Sequence, residues 1–507
     1  MKKTRFIYGS ILMVIVNFVL RFISFSYDVI LSKYIGAEGM GLFQMASSVL
    51  MLFLAISTMG ISTSVSKLVA EENSKNNHYT VKKIYKVSAF FTFILSISLC
   101  LILISFARLI STQVFKNENM MTYIYLLAPA VVIIPMNNVT KGYFYGLKMV
   151  GAASFSEVVE HITKFIIVLS ILKNIRPVTP MKGALVAICG ISIGEFFNSL
   201  WLILMHRRSN KKLTNSIPIK INSISILAKM LKIAVPLTMS GLMGVLLQFI
   251  NTILIPNRLM AAGYTNSQAI ATFGRVSGMA MPLIFIPFIV TSALVVNIIP
   301  SLSEQAALKS YRNMKSDILL AIKIALIVSI PLTMFFAFFS QQLGLFLYSD
   351  DIVGRYIYIM GFSTVFVAMQ HTLTGILHGL NKQKNTAINQ SIGMFFQLLA
   401  IYYLVGNPRF GINGFFIGFF LRIIIVCTLD FIVLRKMMKI KINYIDLILK
   451  PSAASTLMIV SIYLSQQYLL KADNAMGFVS SLIIGGISYG FVLYITKAIP
   501  KKSHWFK

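Results

Sequence analysis

Long apolar runs recur along this chain from one end to the other, and short polar breaks separate them. A helix needs about 20 apolar residues to cross a hydrocarbon core about 30 Å thick, and the runs have that length. A membrane β-barrel would instead show segments of about 10 residues with alternating hydrophobicity, and the sequence lacks them. Because helices satisfy their own backbone hydrogen bonds inside a bilayer, the sequence predicts an all-α integral membrane protein.

The runs predict about fourteen transmembrane helices, in two groups of six followed by two more. The predicted N-terminal lobe is 1–206 and the predicted C-terminal lobe is 228–440. A basic cytoplasmic linker, 207–227, joins them, and 441–507 holds the last two helices and a cytoplasmic tail. The predicted spans are 6–31, 42–66, 84–107, 122–143, 153–172, 183–205, 228–256, 270–300, 317–340, 353–378, 386–405, 411–434, 449–470 and 475–495.

The net charge of the chain is +31, but the position of that charge argues against a nucleic-acid partner. Outside the predicted spans, basic residues favour one side of the membrane by about three to one, as the cytoplasmic loops of membrane proteins do. We therefore expect a multi-pass protein of the cytoplasmic membrane with both termini cytoplasmic. The basic loops then face the anionic lipids of the cytoplasmic leaflet.

The sequence contains no Walker loop, zinc-ligand cluster or nucleophile motif, which are the local signatures of ATP hydrolysis or covalent chemistry. We therefore expect a membrane transporter and not an enzyme, and we expect no cofactor. The energy for transport would then come from the membrane potential, from a gradient of H⁺ or Na⁺, or from the gradient of the substrate itself.

An internal repeat relates the two groups of six spans. The segment 141–147 (KGYFYGL) matches 374–380 (TGILHGL), 233 residues later. Six crossings return a chain to the side from which it started, so the two lobes are predicted to be parallel repeats, the architecture of alternating-access transporters. The same offset relates two further places: 66–71 matches 299–304, and Gly41 matches Gly274.

A polar stripe runs along the first predicted span. Asn17, Arg21, Ser24 and Asp28 are spaced by three or four residues, which places them on one helical face. A charge at the centre of a membrane helix costs about 2.5 to 3.5 kcal/mol on insertion scales, so this face must contact protein or water. We predict that the stripe lines a cavity and that Arg21 binds phosphate, to which a guanidinium is well suited. The alternative is an internal pair of Arg21 and Asp28.

The fifth span carries Glu157, Glu160, His161 and Lys164 at helical spacing. Lys164 is a predicted cavity residue, although Glu160 and Lys164 could also neutralise each other as an i,i+4 pair. Glu157, Glu160 and Asp28 are predicted ion-coupling sites for H⁺ or Na⁺.

Two further arginines complete the predicted cavity, Arg275 in the eighth span and Arg422 in the twelfth, and Glu195 is an additional acid in the sixth. Three guanidinium groups would suit an anionic headgroup such as a pyrophosphate, whereas an exporter of cationic drugs would be expected to offer acids instead. The predicted substrate-binding residues are Arg21, Asn17, Ser24, Asp28, Arg275, Arg422 and Lys164.

On these residues the sequence resembles the polysaccharide-transport branch of the multidrug/oligosaccharidyl-lipid/polysaccharide (MOP) exporter superfamily. It is similar to the stage V sporulation protein B type, which is related to the MurJ family of lipid II flippases. The resemblance runs through nearly all of the chain, and the stretches that carry it are 21–45, 60–71, 142–146, 183–195 and 278–304.

The resemblance implies a fold of two six-helix lobes around a cationic cavity, with two terminal helices beside a groove for the lipid tail. Arg21 matches an arginine of the MurJ-family first helix and Asp28 matches its aspartate, while Tyr27 stands where a second arginine would be. The function implied is export of an undecaprenyl-linked peptidoglycan precursor of the lipid II type, for spore cortex or cell-wall synthesis. The partners implied are the lipid-linked sugar precursor, membrane lipids and cell-wall synthases.

Three other interpretations stay open. The chain could flip another lipid-linked polysaccharide precursor, exchange drugs or cations as an antiporter, or serve as a membrane scaffold that recruits wall synthases.

Overall fold

The computed structural model describes residues 2–58, 60–175, 177–212, 222–438, 443–469 and 475–498. Within these ranges the chain is helical throughout, with short connections and no strand. The α-helices are α1 Lys2–Thr58, α2 Ile61–Ser74, α3 His78–Leu109, α4 Asn119–Gly146, α5 Val150–Asn174, α6 Pro180–Lys212, α7 Ser223–Ala261, α8 Asn266–Gly274, α9 Met281–Ile284, α10 Phe288–Ala307, α11 Tyr311–Leu343, α12 Asp351–Gly361, α13 Thr364–Gly379, α14 Gln383–Ala400, α15 Asn413–Met437, α16 Lys450–Leu464 and α17 Ala475–Ile495. π-Helical turns lie at Ile110–Val114, Arg275–Ala280, Gly344–Tyr348, Ile401–Val405, Ile445–Leu449 and Ser465–Leu469.

The helices confirm the predicted all-α membrane fold. In the described part of the chain, 11 helices are long and apolar enough to cross a bilayer, or 12 if the bent pair α12 and α13 is one span. The number of fourteen is not confirmed. Helix α5 is not among the 11, because Glu157, Glu160 and Lys164 lie at its centre.

Helix α1 contains more than one crossing. At 1.5 Å per residue its 57 residues would extend about 85 Å, whereas the hydrocarbon core is about 30 Å thick. Gly36 interrupts the helix with φ 68° and ψ −176°, a left-handed φ that glycine adopts without a Cβ clash. The first predicted span therefore ends before Gly36, and the second begins after it.

Packing divides the chain into two compact units, Met1–Gly274 and Arg275–Lys507. We call them the N-terminal unit and the C-terminal unit. In the N-terminal unit, α7 packs against α1, α2 and α3, and α8 packs against α1 and α7. The unit boundary therefore lies inside the eighth predicted span. The lobe boundary at 207–227 follows the basic break between the two groups of six spans and stays a prediction, and 213–221 lie outside the described residues.

The sequence repeat is also a repeat of contacts, with the same close approach in each unit. A Cβ atom at Gly142 in α4 would lie 2.5 Å from the backbone oxygen of Ser62 in α2. A Cβ atom at Gly375 in α13 would lie 2.5 Å from a methyl carbon of Val295 in α10. Ser62 and Val295 are separated by the same 233 residues as the two glycines. The repeated glycine therefore allows the same close approach within each pair of helices, α2 with α4 and α10 with α13.

One turn further along the helices, the contact recurs. A Cβ atom at Gly146 would lie 2.6 Å from the Cβ atom of Val69. A Cβ atom at Gly379 would lie 3.1 Å from the Cβ atom of Leu302. Val69 and Leu302 also differ by the repeat offset. Both are fully buried in the apolar core of their unit, so these small residues let the helices bury their apolar faces closely.

Substitution of Gly142 by alanine is expected to destabilise the N-terminal unit. The new methyl group meets a backbone oxygen that cannot rotate away, and overpacking of this kind costs about 1 to 3 kcal/mol. Gly375→Ala should destabilise the C-terminal unit as well, because its Cβ meets both methyl carbons of Val295 and a valine side chain has little rotamer freedom in a helix. The measurement is the midpoint of thermal unfolding of the purified protein in nanodiscs. Gly244→Ala, whose Cβ would have no heavy atom within 4 Å, is the control, and equal midpoints for Gly142→Ala and this control would contradict the packing argument.

Candidate functional site

Helices α1, α4, α5 and α6 pack against one another in the N-terminal unit and bring together many polar side chains. Two glycines let α6 approach α5: a Cβ at Gly194 would lie 3.0 Å from the Glu160 backbone oxygen, and one at Gly190 would lie 2.2 Å from Val168. We call the assembled side chains the polar cluster. Its members are Ser24, Tyr27, Asp28, Asn137, Lys141, Glu157, Glu160, His161, Lys164, Glu195, Asn198 and Ser199.

Two carboxylates of the polar cluster share one amide group. The Asn198 side-chain nitrogen donates to Glu160 Oε2 at 3.0 Å and to Glu195 Oε2 at 3.1 Å. Asn137 donates a second hydrogen bond to Glu195 Oε2 at 2.8 Å, and Ser199 donates to Asn137 at 2.6 Å. Within the described ranges, no basic side chain lies within 4.0 Å of either carboxylate.

Glu195 and the two asparagines that donate to it are buried, whereas Glu160 is half-buried. Asn198 is 0% exposed, Asn137 3% and Glu195 7%. The side-chain oxygen of Asn198 is buried and has no hydrogen-bond partner among the described residues. Each of the two carboxylates therefore accepts a hydrogen bond from the same Asn198 amide, which holds Glu160 and Glu195 close to each other as an acid pair.

A buried ion pair joins α4 to α5. Lys141 Nζ lies 3.4 Å from Glu157 Oε1, and the two side chains are 9% and 29% exposed. Lys141 was not among the predicted site residues, although it begins the repeated segment 141–147. Its pairing compensates the charge of Glu157, so Glu157 and Glu160 differ in environment although they are one helical turn apart.

The first predicted span contributes Ser24, Tyr27 and Asp28 to the polar cluster. Ser24 and Asp28 belong to the polar stripe that the residue spacing predicted. Ser24 Oγ lies 3.3 Å from His161 Nδ1. Lys164 Nζ lies 4.9 Å from the centre of the Tyr27 ring, within the range of a cation–π interaction. Asp28 is half-buried and interacts electrostatically with Lys164. In the described part of the chain, however, no ion pair within 4.0 Å joins the two residues.

Arg21 is exposed, two turns along α1 from Asp28. Among described residues no carboxylate lies within 4.0 Å of its guanidinium, so Arg21 and Asp28 do not form the internal pair considered above. Lys164 likewise has no ion pair with Glu160 in these ranges. The side chain of Asn17 lies outside the described residues.

Arg275 and Arg422 belong to the C-terminal unit and have different surroundings. Arg275 Nε donates to Asp350 Oδ2 at 2.7 Å. Asp350 also caps α12 by accepting from the backbone nitrogens of Ile352 and Val353. Arg275 is therefore an ion-paired residue, and its predicted part in a substrate cavity stays a prediction.

Arg422 belongs to α15 and its side chain packs against α14. Its guanidinium carbon is 5.7 Å from the centre of the Phe419 ring, and its Nε is buried with no hydrogen bond to any described residue. Gly393 makes room for it, since a Cβ there would lie 3.1 Å from Arg422 Cγ. Among the described residues, the Arg422 guanidinium therefore packs on the ring of Phe419 and has no carboxylate partner.

The C-terminal unit also contains a smaller polar group around Asp430. This residue is fully buried, and it accepts from Thr374 Oγ1 at 2.8 Å and from Asn389 Nδ2 at 2.8 Å. Thr374 is the repeat counterpart of Lys141. One corresponding position therefore belongs to a polar network in each unit, as Lys141 in the N-terminal unit and as Thr374 in the C-terminal unit.

The structure brings together the predicted residues Ser24, Asp28, Glu157, Glu160 and Lys164. It joins Glu195, the additional acid of the sixth span, to them, and it adds Lys141, Asn137 and Asn198, each of which contacts a residue on another helix. A signal for the added residues existed in the sequence, since each is a polar residue inside an apolar span. No group of three or more metal-ligating side chains occurs in the residues that the structure describes.

A bundle of long apolar helices that keeps its charged side chains against other helices is the architecture of a multi-pass membrane protein. The sequence matches the profile of the family "Polysaccharide biosynthesis protein" over residues 6–306 and the MatE profile over residues 236–403. The chain belongs to the polysaccharide biosynthesis protein family, within the MOP superfamily, as its sequence predicted.

Two relatives come from Bacillus subtilis (strain 168). Stage V sporulation protein B is 23% identical over 506 residues, which cover 99% of this chain and 97% of the relative. Lipid II flippase MurJ is 25% identical over 429 residues, which cover 78% of this chain and 77% of the relative.

Solved structures show the same fold. A structure of lipid II flippase MurJ in an inward closed conformation superposes with a TM-score of 0.69 at 17% identity, covering 96% of this chain and 98% of that one. An inward-facing MATE family transporter of the MOP superfamily gives a TM-score of 0.66 at 16% identity, covering 84% of this chain and 98% of that one.

Replacing Asn198 by alanine is expected to destabilise the protein. Glu160 and Glu195 would lose their shared donor, and a buried polar group left without a partner costs about 1 to 3 kcal/mol, more when it is charged. Removing one acid as well, in Asn198→Ala with Glu195→Ala, should recover part of the loss. The midpoint of thermal unfolding measures both effects.

The control for this series is Asn297→Ala, which removes an exposed amide that bonds only to its own helix. If Asn198→Ala unfolds at the same temperature as this control, the shared hydrogen bonds do not hold the acid pair.

Proposed function

We propose that this protein is a flippase that moves an undecaprenyl-linked peptidoglycan precursor of the lipid II type across the cytoplasmic membrane by alternating access. The observation that carries the proposal is similarity along nearly the whole chain to Stage V sporulation protein B, together with the similarity to Lipid II flippase MurJ. The sporulation name of Stage V sporulation protein B supports a place in the synthesis of spore cortex or cell wall.

The cations of the N-terminal unit support recognition of a phosphate-bearing headgroup. Arg21 and Lys164 have no carboxylate within 4.0 Å in the described ranges, whereas Lys141 is paired with Glu157. A guanidinium forms two parallel hydrogen bonds to phosphate oxygens, and an ammonium acts as a point charge. Arg21 is therefore proposed to bind the pyrophosphate, with Lys164 adding positive charge. Asn17, Ser24, Asp28, Arg275 and Arg422 stay proposed substrate contacts.

The acid pair supports coupling to an ion gradient. Glu195 is buried and Glu160 is half-buried, and two carboxylates that share one amide repel each other, so a bound proton or Na⁺ stabilises them. Glu160 and Glu195 are proposed to take up that ion, with Asp28 and Glu157 as further candidates. The membrane potential can contribute as well, at about 2.3 kcal/mol per elementary charge moved through 100 mV.

The family description favours a second candidate function. Polysaccharide biosynthesis proteins would include flippases for other lipid-linked glycans, and such substrates share the undecaprenyl pyrophosphate end. The match to the MatE profile keeps an antiporter as a further alternative. Both termini are proposed to be cytoplasmic, and cell-wall synthases are proposed partners.

Arg21→Ala is expected to lower the initial rate of flipping at least tenfold, because the pyrophosphate loses its bidentate contact. Arg21→Lys should keep part of the rate, since the charge remains and the fork geometry does not. The assay uses the full chain in proteoliposomes with lipid II, and measures the fraction that becomes accessible on the far leaflet.

Arg312→Ala, at an exposed arginine of α11, is the matched control and should flip like the unaltered protein. A scaffold or drug antiporter would show no lipid II transfer at all. Transfer of another undecaprenyl-linked glycan in preference to lipid II would favour the second candidate function.

Glu160→Gln is expected to uncouple flipping from the ion gradient. The neutral amide keeps the shape of the side chain and removes the charge that a proton or Na⁺ neutralises. In proteoliposomes with an imposed pH or Na⁺ gradient, the rate of the variant should not respond to the gradient that accelerates the unaltered protein. Glu304→Gln, at an exposed glutamate of α10, should respond normally. If Glu160→Gln keeps its gradient response, Glu160 is not the coupling residue.

A further inference from the structure

The side chain of Lys164 follows a path from α5 across α6 to α1. A Cβ atom at Gly194 would lie 3.2 Å from Lys164 Cβ, and a Cβ atom at Gly190 would lie 3.5 Å from Lys164 Cγ. The apolar stem of the lysine therefore lies against the surface that these two glycines leave open on α6. Such a stem can be buried while its ammonium group stays in a polar environment, and Lys164 as a whole is half-buried.

The path ends on the ring of Tyr27 in α1. Lys164 Nζ lies 4.9 Å from the centre of this ring, and a cation within about 6 Å of a ring centre is attracted by the negative face of the ring. Tyr27 is 2% exposed. Its ring also packs against Phe165, with ring centres 6.1 Å apart and planes inclined at 52°. Because the ring is enclosed and has an aromatic neighbour, the face that it presents to Lys164 is fixed.

The hydroxyl group of Tyr27 does not explain why a tyrosine is buried here. This oxygen is buried and has no hydrogen-bond partner among the residues that the structure describes. Buried tyrosines usually find such a partner, and a buried polar group without one destabilises the fold. In these ranges Tyr27 therefore contributes to the polar cluster through its ring and not through its oxygen.

Acids lie near Lys164, yet none of them pairs with it in the described part of the chain. Glu160 is one turn earlier on α5, and Asp28 follows Tyr27 in α1. No carboxylate oxygen of the described residues lies within 4.0 Å of Lys164 Nζ, and Glu160 accepts from Asn198 instead. An aromatic ring has no net charge, so it attracts the ammonium group without neutralising it. Lys164 therefore keeps its positive charge for a bound anion.

We propose that Tyr27 is a positioning residue for Lys164. The face of its ring holds the ammonium group in the polar cluster, at a point where no acid of the described residues neutralises it, and the ammonium group then attracts the phosphate of the substrate headgroup. The role of Lys164 in binding that headgroup rests on the proposed function. The placement of the ammonium group by the ring does not, and it is tested by a measurement that involves no substrate.

NMR spectroscopy of the purified full chain, with lysine labelled by ¹³C at Cε, tests the placement. The ring current of Tyr27 should shift the Lys164 Cε–H signal upfield of the signals of exposed lysines, and the signal that disappears in Lys164→Gln identifies it. Tyr27→Phe keeps the ring and should keep the upfield position, whereas Tyr27→Leu should move the signal to the position of exposed lysines. Tyr34→Leu, at an exposed tyrosine of α1, is the matched control and should leave the signal unchanged.

Flipping of lipid II in proteoliposomes tests the consequence for the substrate. Tyr27→Leu should raise the half-saturating concentration of lipid II about fivefold, the factor expected for one cation–π interaction, and should change the maximal rate less. Lys164→Gln should raise the same concentration, and adding Tyr27→Leu to it should have no further effect, because the ring acts through the lysine. Tyr27→Phe should restore the value of the unaltered protein. A purely structural defect would instead lower the maximal rate through the folded fraction and leave the half-saturating concentration unchanged.

A Lys164 signal at the position of exposed lysines in the unaltered protein would overturn the proposal, and this measurement decides alone if Tyr27→Leu does not fold. An unchanged signal in Tyr27→Leu would overturn it as well, as would a Tyr27→Phe variant that behaves like Tyr27→Leu. A ring-dependent upfield signal together with unchanged half-saturating concentrations in Tyr27→Leu and Lys164→Gln would support the placement and contradict the proposed role of Lys164 in headgroup binding. The two proposals therefore fail separately.

Discussion

The cost of a charge in hydrocarbon governs how the N-terminal unit is built. Helix α5 carries Glu157, Glu160 and Lys164 at its centre, and each charge there costs several kcal/mol when it faces lipid. The neighbouring helices remove that cost: Lys141 pairs with Glu157, and Asn198 donates to Glu160. Helix α5 is therefore stable in a bilayer only as part of the bundle with α1, α4 and α6.

The two units use the same packing and different polar chemistry. The glycine contacts of α2 with α4 recur between α10 and α13, because a repeated helix pair keeps its separation only if the small residues stay small. The identity of the charged residues is less constrained, since different sets of polar partners can compensate a charge inside the membrane. Position 393 thus has glycine where position 160 has glutamate, and the space beside it holds the stem of Arg422.

Much of the fold was predictable, and the site only in part. Periodicity placed Ser24 and Asp28 on one face of the first span, and the structure places Ser24 at hydrogen-bond distance from His161. The pairing of Arg275 with Asp350 was not predictable. The two residues are 75 positions apart in the chain, and most of the eighth span and all of the ninth lie between them. The bend between α12 and α13 was not predictable either, because no proline marks it in the sequence.

The sequence by itself determined the membrane class, the position of most spans, the internal repeat and the family. These depend on the length of apolar runs against a fixed bilayer thickness, and on residue identities along the chain, both of which are local. Only the tertiary structure decided which buried charges meet: Lys141 with Glu157, and Glu160 and Glu195 on one amide. Such pairs join helices far apart in the chain, and the rotation of each helix against its neighbours, set by glycine contacts and apolar packing, selects them.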